Sequence, residues 1–168
     1  MKIEIRAWEK ADANSLMRAA NHADISKTLR DGFPFPYTEK DADEWILLNK
    51  DKEPLTNFAI IGDNTVAGGI GFVLKGNIYR KNAEIGYWLG VPFWNKGIAI
   101  DAVRLLVDHI FSKHGIDRVY AEVFSNNPAS MKVLEKNGFH LEAVHKKSII
   151  KNNQVLDDYM WVKFREGF

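Results

Sequence analysis

Two glutamates stand inside otherwise apolar stretches of this 168-residue chain. Glu84 lies in NAEIGYWL, and Glu122 lies in RVYAEVF. A carboxylate in such a position can act as a general base, directly or through a water molecule. A salt bridge, or backbone donors at the end of a sheet, would equally satisfy a charge that is costly to bury alone. The residues therefore indicate either a general base or two structural ion pairs.

A glycine turn is the second place where chemistry is expected. In FWNKGIAIDAV, Gly97 stands where an apolar run ends and a helical pattern begins. The first turn of a helix has unpaired N–H groups and the positive end of the helix dipole, so it can bind a phosphate. The turn lacks both the Gly-Lys-Ser/Thr ending of a nucleotide-triphosphate loop and the three glycines of a dinucleotide loop. A tight turn without a ligand is the alternative.

Neither a hydrolase nucleophile nor a metal site is expected. No Gly-x-Ser-x-Gly motif is present, and the five histidines show neither His-x-x-x-His spacing nor a cysteine partner. The absence of cysteine also excludes disulfides and any cysteine-linked covalent intermediate. The 23 Lys and Arg residues balance 22 Asp and Glu residues and are interspersed with them, which argues against a nucleic-acid-binding protein. No apolar run is long enough to cross a membrane, so a cytoplasmic protein is expected.

Hydrophobic periodicity predicts the elements that position these residues. Residues 2–8 alternate like a strand, and residues 12–22 have helical spacing. Thr38 and Asp41 form a capping-box pattern before a second helix, with Trp45 and Leu48 on one face. Three strand-like runs then follow one another in TNFAIIG, TVAGGIGFVLK and AEIGYWLGV, which is typical of an antiparallel meander.

The second half of the sequence predicts two more helices and three more strands. Apolar residues recur every four positions from Ile98 to Ile110, which indicates a long helix ending near His114. RVYAEVF follows as a strand, then a short helix capped by Asn127, then a hairpin around residues 151–153. Alternation places Glu84 and Glu122 on the strand faces opposite the more apolar positions. We therefore predict one α+β domain over residues 1–168.

This order of elements resembles the GNAT superfamily of acyl-CoA-dependent N-acyltransferases. Within it, the sequence is most similar to the ribosomal-protein N-terminal alanine acetyltransferases. The resemblance rests on FPFPYTEKDADEWI, AEIGYWLGVPFWNKGIAIDAV and NPASMKVLEKNGF, in that order. It implies a mixed, mostly antiparallel twisted sheet of about seven strands, splayed between strands four and five, with about four helices.

The resemblance also implies acetyl-CoA as cosubstrate. In the superfamily, a Gln/Arg-x-x-Gly-x-Gly/Ala turn holds the coenzyme A pyrophosphate; Gly97 and Ala99 match it, whereas Trp94 replaces Gln or Arg, as in the ribosomal branch. The pantetheine arm is expected in the splay, where one amide of residues 89–91 would polarise the thioester carbonyl. Lys96 is equally compatible with a solvated surface position. The expected cofactor-binding residues are Leu89, Gly90, Val91, Trp94, Asn95, Lys96, Gly97, Ile98, Ala99, Asn127 and Ser130.

Proton transfer is expected at both reacting groups. Glu84 matches the position of the base in many members and is the first choice, with Glu122 as the second. Many members protonate the leaving thiolate with a tyrosine, but Leu134 stands at that position here. The ribosomal branch has Asn-x-x-Ser, which is Asn127 and Ser130 in this chain. Ser130 is therefore the candidate proton donor, unless both residues only support the helix start.

The acceptor is expected to be a primary amine, with a protein N-terminal α-amine favoured. An α-amine with a pKa near 8 is more easily deprotonated than a lysine amine, with a pKa of about 10.4. Phe33, Phe35 and Tyr37 lie in the segment that lines the acceptor side in the related family, although core packing would also explain them. The alternatives are a small-molecule amine, such as a polyamine or aminoglycoside, and an acyl-CoA-binding module without activity.

Overall fold

One sheet of seven strands forms the frame of the structure, a computed structural model that describes residues 2–168. The strands are β1 (Ile3–Arg6), β2 (Asn57–Gly62), β3 (Thr65–Leu74), β4 (Asn82–Leu89), β5 (Arg118–Phe124), β6 (His140–Lys151) and β7 (Gln154–Phe164). Their order across the sheet is β1-β2-β3-β4-β5-β7-β6. Among the strands of residues 2–168, only β4 and β5 pair in parallel, so the predicted mixed sheet of an α+β fold is confirmed. Met1, the first residue of the predicted 1–168 domain, lies outside the described residues.

The helices connect the strands and cover the sheet. They are α1 (Ala13–Ala20), α2 (Ala23–Ser26), α3 (Glu39–Asn49), α4 (Ile98–Lys113) and α5 (Pro128–Lys136), with short 3-10 turns at Lys10–Asp12, Asn77–Tyr79 and Val91–Phe93. Helix α2 is a single turn, so four helices of two turns or more match the expectation of about four. Among the helices of residues 2–168, none combines the length and the apolar composition that crossing a bilayer requires.

The two central strands separate after a short paired stretch. The pairs between β4 and β5 are Asn82 with Arg118, Ala83 with Val119 and Glu84 with Tyr120. Beyond Glu84, β4 continues to Leu89 and β5 to Phe124, with no further pair between them. The expected splay is therefore present, and it leaves backbone N–H and C=O groups of both strands facing a gap.

The faces of the sheet were predicted correctly around this gap. The apolar stripe of α4 packs on one side, where Ile98, Ala102, Leu106 and Ile110 are each at most 1% exposed. Alternate residues of β4 and β5, such as Ala83 and Val119, belong to the same core cluster. Glu84 and Glu122 therefore project from the opposite side of the sheet, toward α1 to α3.

Helix α3 presents a different face from the one predicted. Thr38 and Asp41 form the expected capping box. Ala42 and Ile46 are buried, however, whereas Leu48 is 73% exposed, so the predicted apolar face through Trp45 and Leu48 was wrong. Ala42 and Ile46, an i, i+4 pair, form a second buried cluster with residues of α1 such as Leu16, and this packing rather than local spacing sets the face.

The closing hairpin is bent by an irregularity in its first strand. Asn152 and Asn153 both have positive φ values, as a two-residue hairpin turn requires. The pairing of β6 with β7 shifts between His145 and Ile149, and Lys147 within that stretch also has a positive φ. The bulge lies beside the end of β5 that borders the gap.

Candidate active site

A cleft of about 550 Å³ lies between the separated ends of β4 and β5. Its walls come from both strands, from the first turn of α5 and from the loop between α2 and α3. The residues that matter for the chemistry are Arg30, Phe33, Tyr37, Glu84, Tyr87, Trp88, Glu122, Asn127 and Ser130. The predicted catalytic residues Glu84, Glu122 and Ser130 are thus brought together around one opening.

The turn before α4 presents free main-chain donors. Gly97 has a φ of 79°, in the left-handed region that favours glycine, and no side chain caps the helix. The first bond of the helix runs from Ile100 N–H to Gly97 O at 3.0 Å. Within residues 2–168, no acceptor pairs with the N–H groups of Asn95 through Ala99. Five successive free amides at the positive end of a 16-residue helix are suited to a phosphate group.

Trp94 holds this turn against the end of β4. Its indole Nε1 donates to the Leu89 carbonyl at 2.9 Å, while its own N–H is bonded to the Val91 carbonyl at 3.2 Å. The Trp94 amide is therefore committed to the local turn, in contrast to the expectation that it would join the phosphate donors. Lys96 has its Nζ 5.9 Å from the centre of the Phe93 ring and is exposed.

Leu89 offers a backbone donor to the gap, and Gly90 does not. The Gly90 N–H donates to Ala67 O on β3 at 2.8 Å, so the expected role of this amide in binding pantetheine is blocked. Leu89 is paired with Gly68 in the antiparallel ladder, and this bond joins the residue after Leu89 to the residue before Gly68. In such a ladder, Leu89 and Gly68 are then a non-hydrogen-bonded pair. The Leu89 N–H consequently faces away from β3, toward the gap, so Leu89 and Val91, whose N–H also has no acceptor among residues 2–168, are the remaining candidates for the thioester carbonyl.

Two hydroxyl groups meet where α5 begins. The Tyr87 hydroxyl lies 2.7 Å from Ser130 Oγ and also donates to the Ser130 carbonyl at 3.1 Å. Burial raises the pKa of Tyr87 well above its ordinary value, against a smaller opposing effect of Ser130, so the phenol stays protonated at neutral pH. Asn127 accepts from the Ser130 N–H at 3.3 Å, which confirms its capping role. Leu134 is fully buried in the core.

Tyr87 is a site residue that the sequence analysis missed. Two-residue alternation places Tyr87 on the more apolar face of β4, together with Ile85 and Leu89. A tyrosine hydroxyl on a buried face needs a polar partner, and this requirement was the available signal. The partner, Ser130, is 43 positions away in the chain, so no local pattern links the two.

Both candidate bases are ion-paired through one arginine. Arg30 Nη2 lies 2.5 Å from Glu84 Oε1 and 2.8 Å from Glu122 Oε2. Lys75 Nζ is 2.6 Å from the second oxygen of Glu84, and the Tyr120 hydroxyl is 3.3 Å from the same oxygen. The salt-bridge alternative raised for the two glutamates is therefore present. Arg30 carries no motif that the sequence analysis could have recognised.

The two carboxyl groups differ in their affinity for a proton. Burial alone would raise the pKa of Glu84, but the hydrogen bond from Lys75 and the charge of Arg30 outweigh it, and the pKa is lowered. Burial also raises the pKa of Glu122, and there the neighbouring charges of Asp158 and Glu84 add to it. Arg30 offsets only part of that rise. Glu122 is accordingly the stronger base of the two.

Aromatic side chains form the wall on the other side of Glu84. The Phe33 ring centre is 5.2 Å from that of Tyr37 and 5.3 Å from that of Trp88. Phe33 and Tyr37 both line the cleft. Phe35, the third residue predicted for substrate binding, is 50% exposed and is not part of the cleft lining. In residues 2–168, no group of three His, Cys, Asp or Glu side chains is arranged to hold a metal ion.

Comparison with known proteins identifies the family. The model of the acetyltransferase (GNAT) domain matches residues 2–140. A Bacillus subtilis protein named "Probable N-acetyltransferase YjcK" is 36% identical over 114 residues, which cover 67% of this chain and 61% of that protein. The match thus spans less than two thirds of that relative.

Solved structures share the fold over almost the whole chain. A GNAT-family acetyltransferase from Bacillus anthracis has a TM-score of 0.83 at 25% identity, with 98% of this chain and 95% of that chain covered. RimL, a ribosomal L7/L12 α-N-protein acetyltransferase solved with coenzyme A, has a TM-score of 0.85 at 22% identity, with 100% and 97% covered. The domain match confirms the predicted resemblance to the GNAT superfamily, and the solved structures share its fold. The chain belongs to the acetyltransferase (GNAT) family.

Proposed function

We propose that this protein transfers the acetyl group of acetyl-CoA to a primary amine in a direct, ternary-complex reaction. A protein N-terminal α-amine is the favoured acceptor. The observation that carries the proposal is the cleft between β4 and β5, which brings Glu84, Glu122 and Ser130 together. The free amides at the head of α4 follow β4 in the chain and lie outside the residues that line this cleft. Acetyl-CoA is proposed to use both, with its diphosphate on the amides and its thioester in the cleft.

The main chain is proposed to hold the cosubstrate. The N–H groups of residues 95–99 provide donors for the coenzyme diphosphate, with Lys96 nearby as a positive charge. When bound, acetyl-CoA supplies an activated thioester. The Leu89 N–H then donates to the position where negative charge develops on the thioester oxygen. Pro92 has no N–H and has no such role.

Glu122 is proposed as the group that removes the proton from the amine. An ammonium ion has no lone pair for attack, so a base near the cleft must accept its proton. The raised pKa of Glu122 brings this carboxyl closer to the pKa of an amine, whereas the lowered pKa of Glu84 takes that group further away. Glu84, the first choice from the sequence, remains a candidate that binds the cation and keeps the local charge negative.

Ser130 is proposed to donate a hydrogen bond or a proton to the departing sulfur. When the single proton of Tyr87 turns from the Ser130 carbonyl to Ser130 Oγ, the proton of Ser130 is left free for a second partner. Asn127 fixes the first turn of α5 and so the position of Ser130. This arrangement gives a physical reason why the chain can work with leucine at position 134.

The preference for an α-amine rests on proton affinity and on the sequence resemblance. An α-amine has a pKa about two units below that of a lysine side chain. Deprotonating it therefore costs less free energy and adds less to the reaction barrier. The fold likeness to RimL, whose acceptor is a ribosomal protein N-terminus, is compatible with this choice. The acidic side of the cleft suits a cationic acceptor of either kind.

A thiol-release assay with mass detection of the acetylated product tests the proposal. Acceptors are peptides with free α-amines, the same peptides with blocked α-amines and a free lysine, a polyamine and an aminoglycoside. We expect acetylation of free α-amines at a kcat/KM at least about tenfold above that of the other classes. Binding of acetyl-CoA in calorimetry without transfer to any amine would instead indicate a non-catalytic module, and acetylation of the small amines alone would overturn the favoured acceptor.

A further inference from the structure

Arg30 forms a partition between two cavities. The first is the cleft between β4 and β5, and the second, of about 460 Å³, lies beside the bulge of β6. Arg30, Glu122 and Phe124 line both of them. The contact between Arg30 and Glu122 therefore stands where the two cavities would otherwise join.

A single nitrogen of Arg30 donates hydrogen bonds to two carboxylates from different strands. Nη2 donates one hydrogen bond to Glu84 at 2.5 Å and one to Glu122 at 2.8 Å. Two acidic groups that converge on one cationic nitrogen form the environment that a primary ammonium group requires, because that group also directs several N–H bonds from one atom. The position of Nη2 thus has the chemistry of an ammonium site.

The arginine is the exposed partner in this arrangement. Its side chain is 68% exposed, whereas those of Glu84 and Glu122 are 14% and 29% exposed. Exposed ion pairs contribute little net free energy, so another cation can replace the guanidinium at low cost. The two carboxylates, by contrast, are sheltered and need a cationic partner at all times.

The loop that carries Arg30 is held independently of the arginine side chain. Asp31 pairs with the buried Lys151 of β6 at 2.8 Å. The Asn126 side chain donates to the Lys27 carbonyl at 3.2 Å. The guanidinium can therefore leave the carboxylates while the loop remains in place.

The second cavity contains a further acidic group that needs a donor. Asp158 is buried, and its Oδ1 has no hydrogen-bond partner among residues 2–168. Its other oxygen is 3.5 Å from His145 Nδ1. A buried carboxylate oxygen without a partner is costly, and an N–H group on a bound molecule would satisfy it. This oxygen is an indication of a bound hydrogen-bond donor that does not depend on Arg30.

We propose that Arg30 occupies the site of the acceptor's ammonium group and that the acceptor binds by displacing the guanidinium from Glu84 and Glu122. The inference rests on the proposed function and specifies its acceptor: an amine that enters as a cation. Hydroxyl and amide acceptors are disfavoured, because they cannot replace the charge that the two carboxylates need. Arg30 is accordingly a specificity-determining residue, because an acceptor must bind the two carboxylates more favourably than the guanidinium does.

A binding experiment tests the ammonium site without requiring turnover. Propylammonium chloride is titrated into protein with ¹³C-labelled glutamate, with sodium chloride at equal ionic strength as reference, for the wild type, Arg30→Ala and Arg30→Gln. We expect saturable shifts of the Glu84 and Glu122 carboxyl signals, with affinity about two- to fivefold higher in both variants, the range that an exposed ion pair contributes. Shifts no larger than with sodium chloride, or weaker binding in both variants, would overturn the inference.

Steady-state kinetics separates this inference from the proposed function. With an amine that the wild type acetylates, both Arg30 variants should show a KM for the amine several-fold lower and an unchanged KM for acetyl-CoA. Arg104→Ala, which removes an exposed arginine paired to Asp101 on α4, should change neither constant. A higher amine KM in the Arg30 variants would mean that Arg30 assists binding and would refute displacement. Propylammonium binding in a protein that acetylates no amine would refute the proposed function alone.

Discussion

The Tyr87 hydroxyl lies 2.7 Å from Ser130 Oγ, and this contact joins β4 to the first turn of α5 beside the gap in the sheet. Either oxygen can be the donor in this contact, and the serine proton is available to a second partner when Tyr87 is the donor. The two residues therefore form one functional pair, although only Ser130 had been expected at the site.

Removal of either hydroxyl should slow turnover. We expect Ser130→Ala to lower kcat roughly tenfold, less than a typical general acid contributes, because a thiolate is already a stable leaving group. Tyr87→Phe should produce a smaller loss in the same direction, since Ser130 keeps its proton but loses its partner. Tyr79→Phe, at an exposed tyrosine, is the matched control. Unchanged kcat in Ser130→Ala would remove the serine from the mechanism.

The pH dependence should identify the base. Glu122 must be ionised to accept a proton, so kcat/KM should rise with pH through the raised pKa of this carboxyl. Glu122→Gln should abolish this rise of kcat/KM with pH, the acidic limb of the profile, and reduce kcat/KM at least about a hundredfold. Pre-steady-state or steady-state rates over the acidic range measure both effects.

Glu84→Gln should give a different profile. The negative charge of Glu84 helps to raise the pKa of Glu122, so its removal should move the acidic limb to lower pH while preserving its shape. Loss of the limb in Glu84→Gln, together with its retention in Glu122→Gln, would restore the assignment of Glu84 as base that the sequence favoured.

A side chain at position 97 should strain the phosphate-binding turn. Gly97 has a left-handed φ of 79°, and an added Cβ would meet no atom within 4 Å, so the cost comes from the backbone alone. We expect Gly97→Ala to lower the free energy of unfolding by about 1 kcal/mol and to weaken acetyl-CoA binding. Gly76→Ala, which also meets nothing within 4 Å and lacks a positive φ, is the control. Denaturant unfolding and calorimetry check the two effects, and equal behaviour of both variants would contradict the strain argument.

Restoring the tyrosine of other family members should fail at position 134. Leu134 is fully buried in the core cluster under α4, so a larger, polar side chain must displace its neighbours. Leu134→Tyr should therefore lower the free energy of unfolding by about 1–3 kcal/mol without raising kcat. Leu134→Met, which conserves the volume approximately, should be tolerated. A gain in kcat from Leu134→Tyr would show that the pocket can accept a second acid.

Local patterns predicted the parts of the site that local geometry determines. The four-residue spacing from Ile98 to Ile110 set the length and buried face of α4, and Gly97 marked its start. Two-residue alternation placed Glu84 and Glu122 on the correct side of the sheet. These features depend on residues close in the chain, where periodicity is informative.

The remaining features depend on contacts between distant segments. Arg30 reaches Glu84 across 54 positions and Glu122 across 92, and no composition or spacing signals such a meeting. The Gly90 amide was assigned to the cofactor, but strand pairing with Ala67 uses it. The predicted apolar face of α3 was wrong for a similar reason, because packing against the neighbouring helix α1, and not the sequence spacing, determines which residues of α3 are buried.

The central claim is that main-chain donors at the head of α4 bind a nucleotide diphosphate whose acylated arm enters the gap between β4 and β5. Calorimetric titration of the wild type with acetyl-CoA and with acetyl-pantetheine, which lacks the diphosphate, tests it most directly. The account predicts saturable one-to-one binding of acetyl-CoA and affinity for acetyl-pantetheine at least about a hundredfold lower. No heat with acetyl-CoA, or equal affinity for the two compounds, would contradict it.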